Sequence, residues 1–303
     1  MKHDVFLSTF SHDATKEIAH YGIGIEFNHF CISKWLDGDV IDDTLDRMRR
    51  QAVRCGVCLP AGEAGRQEAG LPAADADRSI DSPDADPPID PVKAVPPIDP
   101  VKAVPPIDPA KAIVHGPFTD LAPAAFDHRF RQLTRDRLDQ AAEGTLRLGL
   151  SRMVVHTGYI PLVFDPRWQV KESVVFWREF LEDKPEDFVV LLENVMDEEP
   201  ALLLDIVEGV DDPRMRICLD VGHVNAISPK KVTEWIEALG PQIRHFHLHN
   251  NDGRRDLHAP LTEGTLDMEE VLRAVDACCV PETTLTIESR DCHDSIRWLL
   301  DRL

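Results

Sequence analysis

Apolar residues along this chain come in short runs that end on an ionisable residue. Val189-Val190-Leu191-Leu192 runs into Glu193, Ile217-Cys218-Leu219 into Asp220, and Leu285-Thr286-Ile287 into Glu288. Arg244-His245-Phe246 leads to His247, Ala112-Ile113-Val114 to His115, and Met153-Val154-Val155 to His156. Such runs read as buried parallel strands, predicted near 4–8, 22–28, 112–116, 151–157, 188–194, 215–221, 243–250 and 284–289. Amphipathic stretches between them predict helices near 12–20, 42–54, 126–148, 171–183, 198–208, 229–239, 267–278 and 292–302. Strand followed by helix, eight times over, predicts the α/β class and a closed (β/α)8 TIM barrel rather than an open doubly wound sheet. No GxGxxG follows the first strand, so nothing supports dinucleotide binding.

One stretch breaks the pattern. From 56 to 111 the composition turns to Ala, Asp, Pro and Gly, and a nine-residue repeat runs through 87–95, 96–104 and, with two changes, 105–113. Its prolines oppose helix and sheet ladders and favour extended chain. This reads as a Pro-rich, low-complexity insertion between the second helix and the third strand of a single domain spanning 1–303. Without it 247 residues remain, close to the roughly 250 of a minimal barrel. Loops joining a helix to the next strand lie on the face opposite the active site, so the repeat is expected far from the chemistry.

Composition narrows the picture. The chain has 303 residues and a net charge of −21. That balance weighs against a nucleic-acid surface, which is ordinarily basic. It does not bear on a local cation site. No run approaches a membrane span, and the first residues are too soon polar for a signal peptide. Seven cysteines without framework spacing suit a reducing, cytoplasmic setting. Cys55-Gly56-Val57-Cys58 is a lone CxxC with no second pair to complete a zinc site. The oligomeric state is left open.

Side chains two apart on a strand share a face. Glu193, Asp220 and His247 can therefore aim into the barrel while Leu192, Leu219 and Phe246 face the helices. His223 follows Asp220 by three residues, and Asp256 and His258 lie in the loop after the seventh strand. The candidate site is thus His115, His156, Glu193, Asp220, His223, His247, Asp256, His258 and Glu288. His245 is expected to fill a barrel layer and His249 to support a ligand. Glu26, ending the second strand, is open between a substrate contact and a structural role. His3, His12, His20, His128 and His293, with Trp168 and Trp177, read as structural.

Seven motifs occur in order: His115-Gly116-Pro117-Phe118, Val155-His156-Thr157-Gly158, Leu192-Glu193-Asn194, Cys218-Leu219-Asp220-Val221-Gly222-His223, His247-Leu248-His249-Asn250-Asn251, Asp256-Leu257-His258 with Glu263-Gly264, and Ile287-Glu288. Together they resemble the xylose-isomerase-like barrel superfamily, which includes sugar-phosphate isomerases and epimerases and the endonuclease IV proteins of AP endonuclease family 2. The resemblance implies one of two sites. In the epimerases a single divalent metal is held by residues matching Glu193, Asp220, His247 and Glu288. In endonuclease IV three zinc ions are held by residues matching all nine.

Charge distinguishes the two. One divalent ion with Glu193, Asp220 and Glu288 sums to −1, which suits a neutral hydroxyl-ketone. Three ions with those carboxylates and Asp256 sum to +2, which suits a phosphate. Five histidines favour zinc, whereas an oxygen-rich mononuclear site accepts manganese, cobalt or magnesium. The acidic surface and apparently short loops put first a metal-dependent isomerase or epimerase of a small sugar or sugar phosphate. Glu193 and Glu288 would then exchange the proton and His223 would orient a hydroxyl. The alternative is a trinuclear zinc phosphoesterase resembling endonuclease IV, and a third is a non-catalytic sugar-binding barrel.

Overall fold

The computed structural model describes residues 3–59 and 105–303. The first two repeat copies and the rest of 60–104 lie outside the described residues. Strands β1 (Val5–Ser8), β2 (Gly24–Phe27), β3 (Ala112–His115), β4 (Arg152–His156), β5 (Val189–Glu193), β6 (Met215–Asp220), β7 (Ile243–Leu248) and β8 (Thr284–Ile287) form a closed parallel barrel in chain order. The last strand pairs with the first, Leu285 opposite Val5.

The helices that cover the barrel are α1 (Ala14–Tyr21), α2 (Ile41–Cys55), α3 (His128–Arg147), α4 (Pro166–Glu182), α5 (Pro200–Val210), α6 (Val221–Ile227), α7 (Val232–Leu239), α8 (Met268–Cys278) and α9 (His293–Leu300). The sequence pattern predicts eight; α6 is the addition. It leaves β6 directly, and the Asp220 side chain caps it by accepting the His223 backbone N–H at 2.7 Å. A helix of seven residues is too short to show a hydrophobic period, so the pattern could not reveal it.

Alternation along the strands sorts side chains between two cores. Leu7, Val114, Val155, Leu192, Leu219 and Phe246 join the large core under the helices. Phe6, Ile113, Val154, Leu191 and Cys218 form a small apolar cluster inside the barrel. Gly24 makes that interior possible: a Cβ there would lie 2.4 Å from the Phe6 ring, which occupies the space β2 leaves empty. Above this packed floor the interior turns polar, with His245, Glu26 and Thr286 hydrogen-bonded beneath the C-terminal strand ends.

The ends of the 56–111 stretch belong to the barrel. Cys58 and Ile107 form an antiparallel bridge, with Leu59 N–H donating to Pro106 and Asp108 N–H to Val57, both at 2.9 Å. Val57 and Ile107 are buried. The stitch follows α2 and leads into Lys111, whose carbonyl accepts from Ile25 at the N-terminal side of β2 and β3. It therefore sits at the opposite end from the ionisable strand ends.

Candidate metal centre

At the C-terminal mouth the barrel brings all nine sequence-picked residues together. Each has an ionisable atom within 4.0 Å of another's. Five overlapping donor groups lie among the described residues. Three carry the candidate centre: His115, His156 and Glu193; Glu193, Asp220 and His247; and His223, Asp256 and His258 joined by His249. The other two set His247 with Glu26 and His115, and with Cys218 and His245. Glu288 stands beside the second group, 3.5 Å from His247 Nδ1. Strand register explains the first two. His156 is opposite Glu193 across β4 and β5, and Asp220 is opposite His247 across β6 and β7.

Glu193 connects the first two groups. Its Oε2 lies 3.2 Å from His115 Nε2 and 3.3 Å from His156 Nε2, and its Oε1 lies 3.0 Å from His247 Nδ1. The imidazoles are held from behind. His115 Nδ1–H donates to Gly116 O at 2.9 Å, His223 Nδ1–H to Asn194 O at 2.8 Å, and His258 Nδ1–H to Glu288 O at 2.9 Å. A carbonyl accepts only a proton, so each bond leaves Nε2 as the lone-pair nitrogen facing the site. Asn194 also clamps β5 to β6: its amide donates to Asp220 O at 3.0 Å and accepts from Asp220 N at 2.9 Å.

Glu26 takes the structural side of its two readings. It is fully buried and accepts from His247 Nε2 at 3.0 Å, His245 Nε2 at 3.1 Å and Thr286 Oγ1 at 2.6 Å. It lies beneath His247 and turns that ring's Nδ1 toward Glu193. Its place at the end of β2, matching the other ionisable strand ends, was the available signal. His245 fills the barrel interior as expected, between Glu26 and Thr284 Oγ1. His249 does more than support: its Nε2 faces both Asp220, at 3.0 Å, and Asp256, at 3.7 Å.

The electrostatics show what the cluster draws in. Burial pushes the Glu193 carboxyl up, but His247, His156 and His115 outweigh it and hold it well below its ordinary range. Burial opposes charge on His223, yet Asp220, Asp256 and Glu193 lift it to about 10. Burial likewise opposes His258, which Asp256, Glu288 and Asp220 lift to about 9. Burial raises Glu288, and the neighbouring Glu26 and Glu193 add to the rise against the pull of His247. Buried carboxylates thus gather protons onto imidazoles at positions where a cation would compete for the same lone pairs.

The donors fit divalent metal ions. Zinc ligands at about 2.0–2.1 Å in a tetrahedron lie about 3.3 Å from one another, and the separations across Glu193 are 3.0–3.3 Å. His258 adopts φ 47, a left-handed conformation unusual for a side-chain-bearing residue and often found where a site imposes it. Aromatic rings wall the mouth. Phe118 stacks on His156 at 4.2 Å, and Phe10 meets His258 edge-on at 5.1 Å.

The fold and this cluster define a parallel (β/α)8 barrel with a candidate metal centre at its C-terminal mouth. Residues 110–302 match the family described as xylose isomerase-like TIM barrel (AP endonuclease 2), and the chain belongs to that family. An uncharacterized protein of Methanocaldococcus jannaschii is 32% identical over 199 residues, 61% of this chain and 66% of its own length. A probable endonuclease 4 of Mycobacterium ulcerans is 28% identical over 204 residues, 63% of this chain and 78% of its own. Among solved structures, a D-tagatose 3-epimerase-like protein superposes with a TM-score of 0.62 at 22% identity, covering 98% of this chain and 96% of its own. At that identity the likeness concerns the fold alone. Among the described residues no helix is long and apolar enough to cross a membrane.

Proposed function

We propose that this chain is a metal-dependent phosphoesterase acting on a small sugar-phosphate-like ester, with zinc the best-suited metal and Glu193 shared between ions. The observation that carries the reading is the engagement of Glu193, whose two oxygens face three imidazoles at 3.0–3.3 Å. A carboxylate so held serves as a bridge between donor groups. The +2 sum of three divalent ions and four carboxylates suits a phosphate, and the relative named as a probable endonuclease 4 supports an ester. The net charge of −21 supports a small substrate over DNA.

Divalent ions held around Glu193 by His115, His156, Asp220, His247 and Glu288 would supply Lewis acidity to the phosphoryl oxygens and the attacking water. The protein's own part is positioning and proton handling. Glu288, buried and 3.5 Å from His247 Nδ1 at the edge of the donor groups, is the carboxylate assigned to take the proton of the attacking water. Glu26 and the carbonyls of Gly116, Asn194 and Glu288 keep the imidazoles in one tautomer. Phe10 and Phe118 narrow the mouth against bulk water.

A second reading is a sugar or sugar-phosphate isomerase or epimerase. One feature favours it: Glu193 and Glu288 both face His247 Nδ1, at 3.0 and 3.5 Å, which sets two carboxylates on one site as two-base proton transfer requires. The test offers zinc-loaded protein a panel of sugar phosphates and an abasic duplex, and follows inorganic phosphate and strand incision. Parallel samples carry ketoses in heavy water. Phosphate release without deuterium uptake is the expected result. Deuterium uptake that Glu288→Gln abolishes while metal is retained, with no phosphate released, would establish the isomerase instead.

A further inference from the structure

The third donor group holds one residue more than the nine. His223 Nε2 lies 3.5 Å from Asp256 Oδ2, His258 Nε2 lies 3.2 Å from the same oxygen, and His249 Nε2 lies 3.7 Å from Asp256 Oδ1. Three imidazole nitrogens thus surround one carboxylate at close to the ~3.3 Å edge of a zinc tetrahedron. We propose that His223, His249, Asp256 and His258 form a closed, four-ligand zinc site, distinct in role from the open donor groups around Glu193.

Two further observations point to a built position for His249. Its ring is fully buried and its Nδ1 has no hydrogen-bond partner among the described residues, so Nε2, aimed at Asp220 and Asp256, is its polar engagement. A buried polar atom left unpaired costs about 1–3 kcal/mol, which argues that the ring's placement serves Nε2. The space is also prepared. Gly222 in α6 carries no side chain where a Cβ would lie 1.9 Å from the His249 ring, and the ring stacks on His258 with centroids 4.0 Å apart. His223 and His258 spend Nδ1–H on carbonyls and keep Nε2 for the site; His249 has no such acceptor at Nδ1 among the described residues, and its place is set by the stacked ring and by Nε2 facing the carboxylates.

A site with four protein ligands has no open position for substrate, which is the pattern of structural zinc, whereas catalytic zinc keeps three protein ligands and a water. The third ion therefore fixes the loop carrying Asp256 and His258 over the mouth and stays out of the reaction. The inference rests on the metal-centre reading and not on the choice between ester hydrolysis and isomerisation.

The test uses full-length protein stripped of metal and reloaded with zinc or cobalt. Zinc content and affinity are measured with the visible spectrum of the cobalt form. His249→Phe keeps a buried ring without ligand atoms; His258→Phe and Asp220→Asn are references for the closed site and the Glu193 side. Expected for His249→Phe is the loss of one zinc and of the intense absorption of four-coordinate cobalt, as in His258→Phe. Gly222→Ala, which forces the ring aside, should give the same loss with every ligand still present. An unchanged zinc count and cobalt spectrum in His249→Phe would overturn the closed site. So would a loss that follows Asp220→Asn instead, because His249 would then only position Asp220. A wild-type chain that takes up no zinc would sink both this site and the metal-centre reading.

Discussion

Glu26 offers the sharpest single-residue test of how the centre is held. It touches no outer surface and accepts from His247, His245 and Thr286. Glu26→Gln keeps the shape but replaces one acceptor oxygen by a donor, and so opposes one of those three donors. Removing the carboxylate behind a ligating histidine typically weakens metal binding by about 10–100-fold, or about 1.4–2.8 kcal/mol. A separate loss is purely structural: hydrogen bonds to a charged acceptor contribute about 1.5–3 kcal/mol each. The two are separable. Unfolding of the metal-free variant reports the structural loss, and the extra stabilisation on adding zinc at fixed free concentration reports affinity. The structure predicts that both fall, with the zinc-induced increment reduced by about 1.4–2.8 kcal/mol. A variant with lower metal-free stability but an undiminished zinc increment would refute the claim that Glu26 orients His247 toward the metal.

Asp220→Ala and His247→Ala should each lower the zinc count by elemental analysis, and undiminished stoichiometry in both would remove the Glu193 side of the site. Replacing 60–104 by a short Gly/Ser linker should leave melting temperature and metal content unchanged, whereas Ile107→Ala, which hollows the buried stitch, should cost about 2–5 kcal/mol; a linker variant that fails to fold would show the segment is required. Burial pushes the Asp197 carboxyl from 3.8 up to about 6. The folded chain therefore holds that proton more tightly than the unfolded one, a contribution that is full below about pH 4 and lost as pH rises through 6. Relative to Asp197→Asn, metal-free wild type should lose about 3 kcal/mol of unfolding free energy between pH 4 and 7, and parallel pH profiles would contradict this.

Much of the barrel is legible because buried parallel strands are near-continuous apolar runs, and the site because each run ends on an ionisable side chain at the same height. His115, Glu193, Asp220, His247 and Glu288 stand out for that reason. Period-2 alternation also separates Leu191 from Leu192 and Cys218 from Leu219 in the sequence itself. Three things are not visible in pattern alone. The helix α6 is too short for a period, and its start depends on one capping bond from Asp220. The part played by Glu26 depends on which donors lie across the barrel, since His245 and His247 come from a strand 219 and 221 residues away. His249 gains its position through the absence of a side chain at Gly222, a fit between two residues that neither reveals alone.

Zinc titration of metal-free protein, followed by elemental analysis of the saturated chain, tests the shared-carboxylate centre most directly. Three donor groups predict three zinc ions per chain, with Glu193→Gln losing more than one. Saturation at a single ion would contradict a bridging Glu193 and return the chain to mononuclear proton-transfer chemistry.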